Sequence, residues 1–309
     1  MSDTSSFAQS SFGDASGPTS HSFVSQRLRL NYLDWGNPGA PTLILQHGGQ
    51  DHARSWDWVA RALRRDWHVI CPDLRGHGDS AWSPDGAYMM PYMVYDLAQL
   101  IQQSGRERVS IIAHSLGGAV ALRYAGLYPE KVTALVAIEG LGPSPKMYAE
   151  RRKTPVSKRW RDWIEKRRAL SARQHKRYVN IDEALQRMQA ANSHLSEDQA
   201  RHLTIHGVSR NEDGTYSWKF DNYLRSPQPS DLSEEELHGV WAQITCPTLL
   251  CVGQDSWASD PVKDGRAAHF QNASVVSFEN AGHWLHHDQL QRFLTEITRF
   301  LPDPASLKG

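Results

Sequence analysis

The stretch Ala113-His114-Ser115-Leu116-Gly117-Gly118 puts a serine between small residues two before and two after it. A hydroxyl nucleophile on a tight strand-to-helix turn needs that spacing. The backbones approach closely there, and the serine oxygen is pushed clear of the sheet. Ala stands at the first small position where the usual pattern has Gly. A helix opening at Ser115 would point its first amides, Leu116 N–H among them, at a developing oxyanion. His47-Gly48-Gly49-Gln50 is the second stretch. Its glycines let backbone amides face a substrate, and Gly49 N–H is the candidate second oxyanion donor; alone, it would read as a plain glycine turn. Ala281-Gly282-His283-Trp284 is the third. A serine hydroxyl is a weak nucleophile at neutral pH and needs a base. Among fifteen histidines, His283 stands out because a turn at a strand end would aim it at the sheet edge that carries Ser115. His286 and His287 read as surface residues of the following helix, and His47, His52, His77 and His114 as structural hydrogen-bonding partners. No pair of histidines has a companion carboxylate at metal-ligand spacing, so neither a metal nor another cofactor is expected.

These residues must be held by alternating elements. His21–Gln26 and Arg27–Trp35 read as a hairpin closed by Asn37-Pro38-Gly39. Pro41–Gln46, Trp67–Leu74, Val109–Ala113 and Val132–Ile138 are short apolar runs between breakers, as buried strands are. Ser55–Leu63, Tyr92–Gln103 and Leu116–Tyr128 carry helical spacing between them. The alternation stops near Gly142. It resumes at Pro247–Gly253, then Ser274–Phe278, then the helix Asp288–Phe300. Strands alternating with helices imply an α/β fold, a mostly parallel sheet with helices on both faces. Residues 143–241 read as an inserted helical layer over one end of the sheet. Within it, Ser196-Glu197-Asp198-Gln199 has capping-box form ahead of Ala200–Leu203, and Asn211-Glu212-Asp213-Gly214 turns into the extended piece Thr215–Phe220. The expected domains are a disordered tail over 1–22, a core over 23–142 and 242–309, and the cap over 143–241.

The 309 residues hold 34 Lys plus Arg and 34 Asp plus Glu, and 39% are hydrophobic. A balanced chain argues against a dedicated nucleic-acid binder. The hydrophobic content argues against global disorder, and no apolar run is long enough to span a bilayer. The Ser/Gly-rich first 22 residues lack a basic start and an apolar core, so they do not read as a secretory signal. Cys71, Cys246 and Cys251 sit in apolar, strand-like segments, which suggests buried reduced thiols in a cytoplasmic protein. Residues 144–178 hold 13 Lys or Arg against 3 Asp or Glu. A solvated helical face explains this run most simply; attraction of an acidic substrate is the alternative, and no nucleic-acid reader motif accompanies it.

Together the HGG turn, Asp73-Leu74-Arg75-Gly76-His77-Gly78-Asp79-Ser80, the serine turn and the terminal Gly-His resemble the α/β-hydrolase family over roughly residues 23–142 and 242–303. The insertion Tyr178–Phe220 also looks like the cap of serine hydrolase-like proteins. The resemblance implies that Ser115 attacks an acyl carbon, His283 shuttles the proton, the Gly49 and Leu116 amides hold the oxyanion, and a carboxylate orients His283. A serine at 115 speaks against dehalogenases and epoxide hydrolases, which use a carboxylate there.

Two positions could supply the acid: Glu139 after Val132–Ile138, and Asp255 after Pro247–Val252. In the commoner family arrangement the acid lies three residues after the glycine of the later strand. From Gly253 that position is Ser256, and Asp255 falls one short. Neighbouring residues on an extended end point opposite ways, so Glu139 is favoured over Asp255. A Glu directly after VTALVAI would also be costly to bury without a partner, although bonds to loop amides alone could serve it.

The expected substrate is a small carboxylic ester or lactone. One alternative is a carbon–carbon bond hydrolase of ring-cleavage products, whose dienoate carboxylate an Arg-rich cap could hold, though HGGQ lacks the longer glycine turn usual there. The other is an inactive binding protein, against which Ser115 and His283 both count. No nucleic-acid or membrane partner is expected, and the sequence leaves the oligomeric state open.

Overall fold

The strands in chain order are β1 (Thr19–Ser25), β2 (Leu28–Asp34), β3 (Thr42–Gln46), β4 (His68–Pro72), β5 (Val109–His114), β6 (Val132–Ile138), β7 (Val208–Arg210), β8 (Tyr216–Trp218), β9 (Thr248–Gly253) and β10 (Ala273–Phe278). The helices are α1 (Asp57–Leu63), α2 (Met90–Gln103), α3 (Ser115–Leu127), α4 (Pro145–Lys153), α5 (Val156–Ser171), α6 (Ile181–Ala191), α7 (Glu197–Gly207), α8 (Glu234–Trp241), α9 (Leu285–Asp288) and α10 (Leu290–Phe300). This computed structural model describes residues 17–226, 229 and 231–307.

Eight strands form one sheet in the order β1-β2-β4-β3-β5-β6-β9-β10. The β1–β2 and β2–β4 pairs are antiparallel and the other pairs parallel. β3, β4, β5 and β9 are buried at every position, as strands covered on both faces must be. Their side chains divide by the period of two. Leu43, Leu45, Ile112, Val136 and Ile138 join the cluster under α1 and α10. Ile44, Ile111, Ala113, Leu135 and Ala137 join the one under α2 and α3. All parallel strands therefore point their C-terminal ends the same way, and the turns after β3, β5, β6 and β9 meet at one edge, where α/β sheets hold their ligands.

The expected α/β architecture is the one observed, with three changes. Thr19–Ser22 belong to β1 and pair with Asn31–Asp34, so part of the tail expected over 1–22 is strand; residues 1–16 lie outside the described residues. α8, placed by the sequence reading in the insertion, packs on the sheet instead: Leu237 and Trp241 are buried in the α2–α3 cluster. The final helix is divided by a break at Gln289 into α9 and α10. The rest of the insertion carries α4–α7 and the hairpin β7–β8, and the capping box at Ser196 and Gln199 is formed. Among the described residues no helix is long and apolar enough to cross a membrane.

Candidate active site

β5 runs extended to His114 and α3 starts at Ser115, whose φ is +51°. A non-glycine residue in the left-handed region is uncommon and costs backbone strain. Here the kink lifts the hydroxyl off the end of the strand. A Cβ added at Gly117 would lie 2.4 Å from the His47 carbonyl oxygen. The small residue after the serine is thus required because α3 crosses directly over the His47-Gly48 turn. One at Gly48 would meet His114 Nδ1 at 2.6 Å and Ser115 Cβ at 3.2 Å, while one at Gly49 would rest 3.7 Å from Leu116 Cδ2. The two candidate oxyanion residues, Gly49 and Leu116, are therefore neighbours, at the N-terminus of a thirteen-residue helix.

His283 Nε2 is 2.9 Å from Ser115 Oγ, and its Nδ1 contacts Glu139 Oε2. Beside a carboxylate the Nδ1 position carries the proton, which leaves the Nε2 lone pair to accept from the serine hydroxyl. The three residues come from sites 24 and 144 positions apart and meet because β5, β6 and the chain after β10 end together. Glu139 is a second left-handed residue, at φ +48°, and its side chain is fully buried. It has three donors: Gly253 N–H to Oε1 at 2.9 Å, Ser256 Oγ–H to Oε2 at 2.6 Å, and His283. The loop-amide bond considered from sequence and the contact to His283 are therefore both present. Ser256 occupies the position where the commoner arrangement has its acid, and it supports the acid on the neighbouring strand. Asp255 is exposed, with its main-chain N–H on the Ala281 carbonyl; its carboxylate is not brought to His283.

The other histidines support the turns. His47 accepts from Leu74 N–H through Nε2 at 3.0 Å and bonds the Gly48 carbonyl through Nδ1. His52, His77 and His114 bond the carbonyls of Leu203, Arg75 and His283 at 3.0, 3.0 and 2.9 Å. Burial holds all four below the usual histidine range, His52 and His77 to about 4. Asp73 opens the DLRGHGDS stretch, accepting from Ala53 N–H and Asp79 N–H and from Asn31 Nδ2. That motif thus knits the turns after β3 and β4 together.

His286 and His287 correct the sequence reading. They are buried, at 0% and 4% exposure, rather than on the surface. His286 stacks on Trp56 with centroids 4.7 Å apart and lies 4.8 Å from the His114 ring. α9 is too short to have an outer face here, and it plugs the space behind His114. Away from the relay, a further cluster of polar side chains lies between α1 and α7. His202 and His206, four apart on α7, lie with Asp57 of α1 so that one ligand atom of each is within 4.8 Å of the others. The histidine spacing was legible in the sequence, but the carboxylate, 145 residues away from His202, was not.

The sequence model of a family described as alpha/beta hydrolase fold matches residues 41–290. A serine hydrolase-like protein of Danio rerio is 28% identical over 276 residues, covering 86% of this chain and 83% of the relative. The esterase Rv0045c of Mycobacterium tuberculosis is 27% identical over 283 residues, covering 89% and 86%. Among solved structures, a thioesterase domain from the curacin biosynthetic pathway superposes with a TM-score of 0.81 at 22% identity, over 92% of this chain and 100% of that one. At that identity the likeness concerns the fold alone.

Proposed function

Because this chain belongs to the α/β-hydrolase fold family, we propose that it is a serine hydrolase of carboxylic esters or lactones, with Ser115 as nucleophile, His283 as base and acid, and Glu139 as the orienting carboxylate. The observation that carries this reading is the continuous relay from Ser115 Oγ through both nitrogens of His283 to a buried Glu139.

Ser115 Oγ attacks the acyl carbon as His283 Nε2 takes its proton. The tetrahedral oxyanion is held by the Gly49 and Leu116 amides, with the α3 N-terminus adding positive potential. The imidazolium, paired with Glu139, returns the proton to the leaving alkoxide, so the ester C–O bond breaks and an acyl-serine remains. Water then attacks that acyl carbon while His283 again takes a proton, and the acid leaves as Ser115 recovers its hydrogen. In a lactone the leaving alkoxide stays attached to the acyl group and departs with it in the second step. Serine rather than a carboxylate at 115 separates this chemistry from dehalogenation and epoxide opening. The named activities of the Danio rerio and Mycobacterium tuberculosis relatives agree with hydrolysis. Cys71, Cys246 and Cys251 are buried free thiols, which supports a cytoplasmic setting.

The test is a panel of p-nitrophenyl esters and lactones with wild type and Ser115→Ala, alongside labelling by a serine-directed phosphonate. Wild type should turn over members of the panel and take the label at Ser115. The variant should do neither while keeping its melting temperature, since Ser115 sits on a turn. Full activity in Ser115→Ala would overturn the assignment.

A further inference from the structure

We propose that Asp57, His202 and His206 form a site for a transition-metal ion of the Zn²⁺ class, at the seam between α1 of the core and α7 of the insertion. His202 and His206 share one helix face by their i, i+4 spacing. One ligand atom from each of the three residues lies within 4.8 Å of the others, and His202 Nε2 stands 3.2 Å from Asp57 Oδ2. Ligands at about 2.0–2.1 Å from a tetrahedral zinc are about 3.4 Å from one another. One pair is thus already at coordination spacing, and the remaining contraction is within reach of side-chain torsions.

Two imidazoles and one carboxylate select a transition metal over Ca²⁺ or Mg²⁺, which take oxygen ligands. The Asp57 side chain is fully buried and so presents its oxygens on a fixed stem. The two histidines are half-buried, which leaves room for water in the fourth position.

The native occupant of Asp57 is Arg54. Its Nε lies 2.9 Å from both carboxylate oxygens and its Nη2 lies 2.6 Å from Oδ2. Arg61 stands 3.5 Å from the same oxygen, and Lys219 adds positive charge to this region. An incoming cation therefore competes with a guanidinium. The Arg54 side chain is 28% exposed and has a path to solvent. The competition makes a specific prediction, because removing Arg54 should tighten the metal rather than weaken the site. The ion would staple α7 to the core beside the His52 to Leu203 bond, close to the HGGQ turn. The assignment does not depend on the role given to Ser115.

The experiment is calorimetric titration of chelator-treated full-length protein with Zn²⁺, and the visible spectrum with Co²⁺. The expected result is one ion per chain, with ligand-field bands and no thiolate charge-transfer band. Binding should weaken by about 100-fold or more in His206→Ala and in His202→Ala, tighten about tenfold in Arg54→Gln, and persist in His283→Ala. Circular dichroism and melting temperature establish that each variant is folded. No saturable binding, a folded His206→Ala that binds as wild type, an Arg54→Gln that fails to bind more tightly, or loss in His283→Ala would each overturn the site.

Discussion

Glu139 and Asp255 differ in what their carboxylates touch, and that difference sets their expected roles. Glu139 is fully buried with three donors; Asp255 is exposed. Glu139→Gln would lose the charge that stabilises the imidazolium and could hold His283 in the wrong tautomer. Turnover should fall by about 10⁴-fold, whereas Asp255→Asn should stay within a factor of a few. Steady-state kinetics of both variants on one ester decides it, and a collapse confined to Asp255→Asn would place the acid on β9. Gly48 provides a second residue-level test. A methyl there would lie 2.6 Å from His114 Nδ1, and His114 has no space to yield at 1% exposure. Gly48→Ala should push the HGGQ turn off Ser115. A misplacement on the order of 1 Å costs about 100-fold in turnover, and wild-type rates in this variant would show that the turn does not position the oxyanion. Ser115, His283 and the two glycines were legible in the sequence because their neighbours are constrained locally. The acid was legible only as a choice of two, since a strand end fixes where a carboxylate starts and not which partner it reaches.

At the scale of elements, the strands were readable to within one or two residues because β3, β5, β6 and β9 are apolar at almost every position and bounded by breakers. α8 was misplaced because its Leu237 and Trp241 stripe declares that one face is buried without saying against what; the surface it covers is α3. His286 and His287 of α9 read as surface residues of the following helix because two adjacent histidines carry no periodicity that marks a buried face. The loop after β4 is held by a different device. Arg75 forks onto Asp96 with bonds of 2.6 and 2.7 Å, and Ser25 Oγ–H also donates to Asp96 at 2.6 Å. This buried pair ties β1, the DLRGHGDS turn and α2 together. Asp96→Asn would leave the Arg75 charge buried and unmatched, at a cost of about 3–5 kcal/mol. Urea denaturation should show it, and a loss under 1 kcal/mol would mean that water reaches Arg75. α7 has its own anchor in the Ser196–Gln199 capping box. Ser196→Ala should cost about 1 kcal/mol and raise amide exchange in the first turn of α7 ahead of the sheet. Unchanged exchange there would show that packing on α1 holds the helix alone.

The whole molecule carries an unusual set of buried histidines, and their summed titration predicts how it responds to acid. Burial holds His52 and His77 to about 4 and His287 to about 3, and holds His47, His114 and His286 well below the ordinary range. A folded-state pKa below the unfolded one means that the unfolded chain binds more protons between the two values. Stability is then full above about pH 6.5 and is lost as pH falls toward 4. Buried acids work the other way. Burial raises Asp51 to about 7 and Asp73 to about 6, so the folded chain holds their protons longer, and they favour folding as pH falls from 7 toward 4. The lowered histidines outnumber the raised carboxylates, so the balance tips toward loss of stability in acid. Stability is therefore expected to decline as pH falls below about 6. Urea midpoints at pH 7.5, 6 and 5 should fall steeply. Asp51→Asn removes a group whose ionisation opposes folding above pH 7, so it should raise the midpoint at pH 8 and gain less at pH 5. A midpoint flat from pH 7.5 to 5 would mean that these rings are protonated or hydrated in the folded chain, and that the interior behind His114 is open to water.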